Sequence, residues 1–223
     1  MIRHARRAGL LLLALVAGLP GLRWVKVGST LFTAEGPDLI REFRDRGLRI
    51  FLDLKWHDIP HQVAGSVRAA AALGVDLVTV HALGGRAMLA AAQEAAGSTL
   101  RVAAVSVLTS HDAADWSTVV GRRADPGAEV ERLAAMAVAA GLQALVASPE
   151  EAARARAALG PEGWVVTPGI RPTGTDRGDQ RRVATAAAAV AAGATHLVVG
   201  RAITGAPDPR AVYEELCRDV RAS

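Results

Sequence analysis

Short apolar runs alternate with longer alanine-rich stretches along most of the chain. The runs have the length and the β-branched content of buried strands, and the stretches between them carry apolar residues at helical spacing. The predicted strands are Trp24–Gly28, Arg49–Leu54, Leu77–His81, Val102–Leu108, Ala144–Ala147, Trp164–Thr167 and His196–Gly200. The predicted helices are Gly36–Arg46, Ile59–Leu73, Gly85–Ala96, Glu129–Ala140, Pro149–Leu159, Ala184–Ala192 and Pro209–Arg221.

Strands that alternate with helices of this length indicate βαβ units and a parallel sheet. No linker or low-complexity stretch divides the chain, and no G-x-G-x-x-G dinucleotide fingerprint follows a predicted strand. We therefore predict one α/β domain over residues 1–223, with the fold of a TIM (β/α)8-type barrel.

The beginning of the chain departs from this pattern. A TIM barrel opens with a strand, but Met1–Arg7 is basic and Leu10–Leu19 is mostly apolar, so the first strand is missing or degenerate. These segments resemble a short signal peptide, yet no A-x-A cleavage site follows and the apolar run is too short to span a membrane. We expect a helix packed on the barrel.

Composition narrows the classes of function. The net charge is only +4 and aromatic residues make up 4% of the chain, so neither a nucleic-acid-binding surface nor a membrane partner is indicated. The only cysteine, Cys217, excludes an internal disulfide, which is typical of a cytoplasmic protein. Of 26 basic residues, only Lys26 and Lys55 are lysines. Since arginine cannot release its proton at a usable pH, these two positions are candidates for a titratable ammonium group.

Both lysines fall near the carboxyl ends of predicted strands, where barrel active sites gather. The two-residue period of a strand places Asp53 and Lys55 on one face, towards the barrel mouth, and the intervening leucines on the other. Asp58 follows three residues after Lys55. Lys26, Asp53, Lys55 and Asp58 could form an alternating array of charges that keeps Lys55 protonated and aimed at one point. A structural alternative for Asp58 is helix N-capping, because it directly precedes Ile59-Pro60.

The last strands suggest a phosphate site. Thr167–Pro172 leads from a strand into a polar loop that ends near Gln180, and Val198–Arg201 closes the final strand. Barrels often hold phosphate on backbone N–H groups at this position; Gly200 permits close approach, and Arg201 can add a charge-assisted contact. The segment Arg171–Gln180 is either a lid over the phosphate or a solvated loop.

The histidines do not assemble a metal motif. His57 and His61 are four residues apart, but Pro60 lies in a first helical turn, which disfavours a shared ligand face. We therefore predict no metal site.

The segment Asp53-Leu54-Lys55-Trp56-His57-Asp58-Ile59-Pro60 resembles the D-x-K-x-x-D signature of bacterial orotidine 5'-monophosphate decarboxylases. The resemblance runs from about Gly21 to the C-terminus. Further matching segments are Lys26-Val27-Gly28, Val80-His81-Ala82, Leu108-Thr109-Ser110, Thr167–Pro172, Gly178-Asp179-Gln180 and Val199-Gly200-Arg201.

This resemblance implies decarboxylation of orotidine 5'-monophosphate to UMP without a cofactor. Lys26, Asp53, Lys55 and Asp58 would form the catalytic network, with Lys55 as the proton donor and Asp58 supplied across a homodimer interface. The implied substrate contacts comprise those of Lys26, Asp53 and Asp58 and, in addition, those of Ile59, Thr109, Pro168, Arg171, Gln180, Gly200 and Arg201. The family's first strand ends in an aspartate that contacts the ribose, but the corresponding place here falls near His4, which supplies no carboxylate. The resemblance therefore implies an exposed gap beside the strand that contains Lys26, with impaired substrate binding.

Two other functions stay open at this point. One is a Mg²⁺-dependent sugar-phosphate lyase of the same superfamily, although such enzymes resemble this chain with a carboxylate in the place of Lys26, where a lysine would repel the cation. The other is a catalytically impaired barrel that serves as a binding or scaffold protein, which the missing strand favours and the charge array opposes.

Overall fold

In the computed structural model, which describes residues 2–172 and 183–222, seven parallel strands form one curled sheet in the order β1 to β7. The strands are β1 (Trp24–Gly28), β2 (Arg49–Trp56), β3 (Leu77–His81), β4 (Arg101–Val105), β5 (Ala144–Val146), β6 (Trp164–Thr167) and β7 (His196–Leu197). The predicted bounds of β1, β3 and β6 are confirmed. Each strand pairs only with its neighbours in sequence, which is the topology of a barrel opened between β1 and β7.

Helices cover the outside of this sheet. They are α1 (Ile2–Ala17), α2 (Ser29–Glu35), α3 (Pro37–Asp45), α4 (Pro60–Ala72), α5 (Gly85–Ala96), α6 (Ala113–Val120), α7 (Pro126–Ala139), α8 (Ala152–Leu159), α9 (Ala186–Ala191), α10 (Arg201–Thr204) and α11 (Pro209–Arg221). No helix in the described part of the chain combines the length and the apolar character needed to cross a membrane.

Strand alternation divides the core into an outer and an inner layer. Outward side chains such as Val25, Val27 and Leu52 pack in the main cluster beneath the helices. Inward side chains form a second cluster inside the barrel, centred on Phe51 and Leu77. Two small inward residues, Ala103 of β4 and Ala144 of β5, let the sheet curl around this narrow interior.

The amino ends of the strands form an aromatic and cationic floor, defined here as Trp24, Arg49, Arg101, Trp164 and His196. The ring centroids of Trp164 and His196 lie 4.2 Å apart in a stacked arrangement, and Trp24 meets both rings edge-on. The guanidinium carbons of Arg49 and Arg101 lie 4.4 Å and 4.3 Å from the ring centroids of Trp24 and Trp164. These cation–π and stacking contacts close the barrel at the end opposite its expected active site.

Helix α1 confirms the expected N-terminal helix, and the expected gap beside the Lys26 strand is present, because β1 and β7 do not pair with each other in the described part of the chain. Leu13 and Val16 of α1 pack in the main cluster with the outward residues of β1. Leu15 of the helix and Leu19, two residues beyond its end, pack in the cluster that contains Ile203 of α10 and Leu216 of α11. The helix therefore lies outside the sheet and spans the opening between β1 and β7. Leu12, Leu15 and Val16 form an apolar helix face that lines the cavity at this opening.

Several predicted boundaries were wrong. The strands predicted to reach Leu108 and Gly200 end at Val105 and Leu197. Helix α7 begins at Pro126, three residues before the predicted start, because Asp125 caps it by accepting a hydrogen bond from the Ala128 N–H.

Candidate active site

Three charged side chains meet at the carboxyl ends of β1 and β2. The Nζ atom of Lys26 lies 3.2 Å from Oδ2 of Asp53, and the Nζ atom of Lys55 lies 2.9 Å from Oδ1 of the same carboxylate. The carboxylate is nearly buried, while each lysine side chain is about one-third exposed, 34% and 38% respectively. One carboxylate thus holds two ammonium groups side by side at the barrel mouth.

Thr79 on β3 completes this arrangement from below. Its hydroxyl group donates to Oδ1 of Asp53 at 2.9 Å and accepts from the backbone N–H of Lys55 at 2.9 Å. The residue is fully buried, so neither hydrogen bond competes with water. Thr79 therefore fixes the Asp53 carboxylate and the Lys55 backbone relative to each other.

The surroundings of Asp53 keep it ionised. Burial alone would raise the pKa of this carboxyl group. The charges of Lys26 and Lys55, with hydrogen bonds from Lys55 and Thr79, outweigh burial and hold the pKa below its ordinary value. At neutral pH the group is therefore an anion between two cations, and the three side chains carry a net positive charge towards the mouth.

The backbone at Lys55 is unusual. Its φ angle is 52°, which makes it the only non-glycine residue with a positive φ in the described part of the chain. The pairing of β2 with β3 shifts register between Leu52 and Trp56, so the Lys55 N–H bonds to the Thr79 side chain. This local irregularity, typical of a β-bulge, re-aims the lysine side chain.

Two histidines stack beside this cluster. The ring centroids of His57 and His81 lie 5.6 Å apart with an interplanar angle of 22°. Burial, followed by the charges of His57, Lys55 and His111, lowers the pKa of His81 to about 4. Nδ1 of His81 accepts a hydrogen bond from the Leu83 N–H at 3.3 Å. His81 is therefore neutral at pH 7, with its proton on Nε2.

Asp58 does not join the charge array within the chain. It is exposed, accepts a hydrogen bond from the Ile59 N–H at 2.6 Å, and makes no ion pair with a described residue. The N-cap of α4 is Ile59, so the alternative interpretation of Asp58 as the helix cap was wrong. Ile59 itself is 63% exposed, which is unusual for a large apolar side chain.

The residues expected at the phosphate end lie on the same rim, after β4, β6 and β7. Thr109 lies in a turn four residues beyond β4, and Pro168 directly follows β6. Arg171 donates from Nη1 to the Ile170 carbonyl at 3.0 Å. Gly200 caps α10, and Arg201 is the first residue of that helix. Gln180 lies outside the described residues.

A cavity of about 820 Å³ reaches from the charged cluster to the opening between β1 and β7. Lys26, Asp53, Lys55 and Gly200 all line it, whereas Thr109, Pro168, Arg171 and Arg201 do not. Of the residues predicted to bind phosphate, the structure therefore places Gly200 in the same cavity as the charged cluster. The described residues contain no group of three or more His, Cys, Asp or Glu side chains placed to hold a metal ion.

Sequence reasoning missed Thr79. The signal was a single polar residue at the centre of the otherwise apolar run Leu77-Val78-Thr79-Val80, on the inward face of β3 and next to the strand that carries Asp53 and Lys55. Threonine is common in strands, so the residue type alone did not distinguish it from a packing residue.

The fold and this site define a class of protein, the β/α-barrel enzymes, in which charged side chains collect at the carboxyl ends of parallel strands. Comparisons with known proteins narrow the class. A model of the family described as "Orotidine 5'-phosphate decarboxylase / HUMPS family" matches residues 11–216. The chain belongs to this family.

Individual relatives agree with the family match. The orotidine 5'-phosphate decarboxylase of Halorhodospira halophila is 53% identical over 215 residues, covering 94% of this chain and 90% of the relative. That of Moorella thermoacetica is 49% identical over 203 residues, covering 87% and 81%. The crystal structure of the orotidine 5'-phosphate decarboxylase from Lactobacillus acidophilus superposes with a TM-score of 0.81 at 36% identity, covering 94% of this chain and 92% of that one.

Proposed function

We propose that this protein decarboxylates orotidine 5'-phosphate to UMP and CO2 in pyrimidine biosynthesis, with Lys55 as the proton donor. The observation that carries the proposal is the pair of ammonium groups held on the Asp53 carboxylate, 2.9 Å and 3.2 Å away, at the mouth of the barrel. Relatives at about half identity over most of the chain bear the name of this activity.

The reaction places a negative charge where the lysines lie. Cleavage of the bond between C6 and the carboxylate carbon releases CO2 and leaves the electron pair on C6 as a carbanion. The Lys55 ammonium stabilises this charge and then transfers a proton from Nζ to C6, which yields UMP; Lys55 regains a proton from solvent. Positive charge fixed before the reaction is the main source of acceleration, because no solvent needs to reorganise.

Asp53 and Lys26 assist the decarboxylation, and both act already in the complex with bound substrate. The Asp53 carboxylate holds the Lys55 ammonium group in place at 2.9 Å and lies where the substrate carboxylate approaches, so loss of CO2 relieves repulsion between two carboxylates. Lys26 balances the charge of Asp53 and contacts the substrate. No organic cofactor or metal ion is needed for these roles.

The phosphate group would bind at the opposite part of the rim, through Gly200, Arg201, Arg171 and Gln180, with Thr109, Pro168 and Ile59 as further substrate contacts. The support is their position after the carboxyl ends of parallel strands or, for Ile59, after the signature segment. Binding energy gained at the phosphate can be used to orient the pyrimidine ring over Lys55.

The working form would be a cytoplasmic homodimer in which Asp58 reaches the partner's site. Asp58 and Ile59 are both exposed and lie only a few residues beyond Lys55. An exposed isoleucine beside a carboxylate that has no ion-pair partner among the described residues suits an interface with an apolar centre and a charged contact. Asp58 would then supply the fourth charge of the array.

The magnesium-dependent lyase is a weaker candidate. The Lys26 ammonium lies 3.2 Å from the carboxylate that a divalent cation would use, and a positive charge at that distance disfavours metal binding. The scaffold function is also a weaker candidate. Asp53, Lys55 and Thr79 keep a hydrogen-bonded arrangement that packing of the barrel alone does not require.

A spectrophotometric assay of orotidine 5'-phosphate consumption tests the proposal. The wild-type protein should consume the substrate, and Lys55→Ala should lose about 10³-fold or more in kcat/KM. Lys55→Arg keeps the positive charge but cannot donate a proton at neutral pH, so it should be nearly as inactive. An active Lys55→Arg variant would exclude Lys55 as the proton donor; a wild-type protein that binds UMP but releases no CO2 would favour the scaffold function. Wild-type activity that is lost with EDTA would favour the lyase.

A further inference from the structure

Gly28 is the last residue of β1 and stands on the inward face of that strand, two residues beyond Lys26. In the register between β1 and β2, Gly28 pairs with Asp53, whose carboxylate holds both lysines. Lys26 lies two pairs lower, opposite Phe51, and its side chain extends along the inward face until Nζ is 3.2 Å from Oδ2 of Asp53. The ammonium group of Lys26 therefore lies in front of Gly28.

The backbone at Gly28 does not itself require glycine. Its φ angle of −91° and ψ angle of 173° are extended values that other residues adopt without strain. Gly28 is also the N-cap of α2, a position where a side-chain oxygen stabilises a helix. Several other helices have such a cap, supplied by Asp112, Asp125, Thr185 and Asp208. Because local preferences favour a capping side chain at position 28, the glycine needs another explanation.

The space in front of Gly28 supplies that explanation. A Cβ atom added to Gly28 would lie 3.1 Å from Nζ of Lys26, which is closer than such atoms normally approach. Apart from the two chain neighbours, no other heavy atom of the described residues lies within 4 Å of that point. An added side chain would therefore meet the flexible end of Lys26 and nothing rigid.

We propose that Gly28 is a positioning residue for Lys26: the lack of a side chain at position 28 leaves the room in which the ammonium group reaches Asp53. A methyl group there would force Nζ to move by a few tenths of an ångström. Lys55 would keep its place, because its ammonium group lies on the other oxygen of the Asp53 carboxylate, at 2.9 Å. The consequence for catalysis rests on the proposed function, in which Lys26 balances the charge of Asp53 and contacts the substrate.

NMR of the lysine side chains tests the placement without substrate. Because the chain has only two lysines, isotopic labelling of lysine at Cε gives two signals, and Lys26→Met assigns them by removing one. Gly28→Ala should shift the Lys26 signal and leave the Lys55 signal nearly unchanged. The matched control is Gly65→Ala in α4, since a Cβ atom there meets no other atom within 4 Å, and it should shift neither signal. An unmoved Lys26 signal in Gly28→Ala would overturn the proposal.

Stability and activity should respond differently at position 28. Gly28→Ala should keep the melting temperature within about 2 °C of wild type, because alanine suits the extended backbone and only a flexible group has to move. In contrast, kcat/KM for orotidine 5'-phosphate should fall about tenfold, and about 10²-fold in Gly28→Val, whose larger side chain displaces Lys26 further. Gly65→Ala should keep wild-type activity. Wild-type activity in Gly28→Ala would exclude the positioning role, and this result decides the question even if Gly28→Val does not fold.

A double-mutant cycle separates an effect through Lys26 from a general one. In a Lys26→Met background, Gly28→Ala should change kcat/KM by less than about twofold, because the displaced group no longer carries the charge. A tenfold loss that persists in this background would contradict the proposal. If Lys26→Met turns over too slowly to be measured, the affinity for UMP from calorimetry replaces the rate in the same cycle, with the same criterion.

The lysine signals and the rates also separate the role of Gly28 from the proposed function. A shifted Lys26 signal in Gly28→Ala, combined with a wild-type protein that does not consume orotidine 5'-phosphate, would support the positioning of Lys26 and reject the decarboxylase activity. An active wild-type protein with an unmoved Lys26 signal in Gly28→Ala would reject the role of Gly28 alone.

Discussion

The two ends of the barrel hold positive charge in different ways. At the floor, Arg49 and Arg101 lie over the faces of Trp24 and Trp164, so each charge is spread over a planar group in contact with an aromatic ring. At the mouth, Lys26 and Lys55 present compact ammonium groups to one carboxylate. The same strands, β1 and β2, contribute to both ends.

This difference separates stability from reactivity. A guanidinium group on a ring stays charged at every physiological pH and contributes through packing and cation–π attraction. An ammonium group on a carboxylate can pass on a proton and regain it. The chain has 26 basic residues and places its two lysines only at the mouth, so substitutions at the two ends should affect different measurable quantities.

Removal of charge from a carboxylate should give the largest contrast between the ends. Asp53→Asn leaves the two lysines to repel each other and should lower kcat/KM by about 10³-fold in the orotidine 5'-phosphate assay. Asp76→Asn is the matched control: Asp76 pairs with Arg49 and accepts from the Ile50 N–H at 2.7 Å, but on the floor side. It should retain activity. Comparable losses of activity in Asp53→Asn and Asp76→Asn would show that the two ends of the barrel do not differ in their contribution to activity.

Trp164→Ala addresses the floor alone. The substitution removes the ring that stacks on His196 and underlies Arg101, and should reduce the free energy of unfolding by about 3 kcal/mol. Thermal unfolding should shift down by several degrees, while kcat of the folded enzyme stays within about twofold of wild type. A fall in kcat with unchanged melting temperature would refute the division.

Thr79→Val tests the support of the mouth. The loss of its hydroxyl group leaves the buried Lys55 N–H without a partner, at a cost of about 2 kcal/mol in stability. Misalignment of Lys55 should also lower kcat about tenfold with little change in KM. Thr195→Val is the counterpart near the floor, where the hydroxyl group accepts from the Val165 N–H at 2.9 Å; there, activity should persist. If Thr79→Ser, which keeps the hydroxyl group, fails to restore kcat, the positioning role is wrong.

The smallest expected effect is the pH dependence contributed by His81. Its pKa is lowered from 6.5 to about 4 by burial first and then by neighbouring charges, so below pH 6.5 the unfolded chain binds this proton more readily than the folded one. The His81 contribution therefore disfavours the folded state as pH falls from about 6.5 to about 4. In chemical denaturation at pH 7 and pH 5, His81→Asn should lose less stability than wild type. An equal loss in both proteins would exclude this contribution.

Much of the fold followed from the sequence because apolar runs bounded by polar residues and glycines mark buried strands directly. The bounds of β1, β3, β6, α5 and α11 were predicted correctly. Apolar character reports burial rather than extension, however, and the predicted β4 was therefore too long: Val107 is buried but lies beyond the end of that strand. The predicted β7 was also too long, and the observed strand has a partner on only one side.

Short helices were missed for a different reason. Helix α6 has only eight residues and depends on its cap, since the Asp112 carboxylate accepts hydrogen bonds from the N–H groups of Ala114 and Asp115. Such a helix has too few turns for its apolar period to stand out. Helices α2 and α10 are shorter still.

The site was predictable where chemistry coincided with strand position. The two-residue spacing of Asp53 and Lys55, together with the rarity of lysine, indicated residues that do come together with Lys26. The sequence could not reveal that the β2 backbone bends at Lys55, or that the Thr79 hydroxyl group takes the place of a ladder partner there. Both depend on register between strands that are far apart in the chain.

The left-handed backbone at Lys55 limits how far the stability of this protein can be raised without loss of activity. A side chain in that conformation costs about 1 kcal/mol or more relative to glycine, so Lys55→Gly would relax the backbone while deleting the ammonium group. Selection for thermal stability alone would therefore discard the residue proposed as the proton donor. At position 55, thermal stability and catalytic rate favour different amino acids: glycine for stability and lysine for the rate.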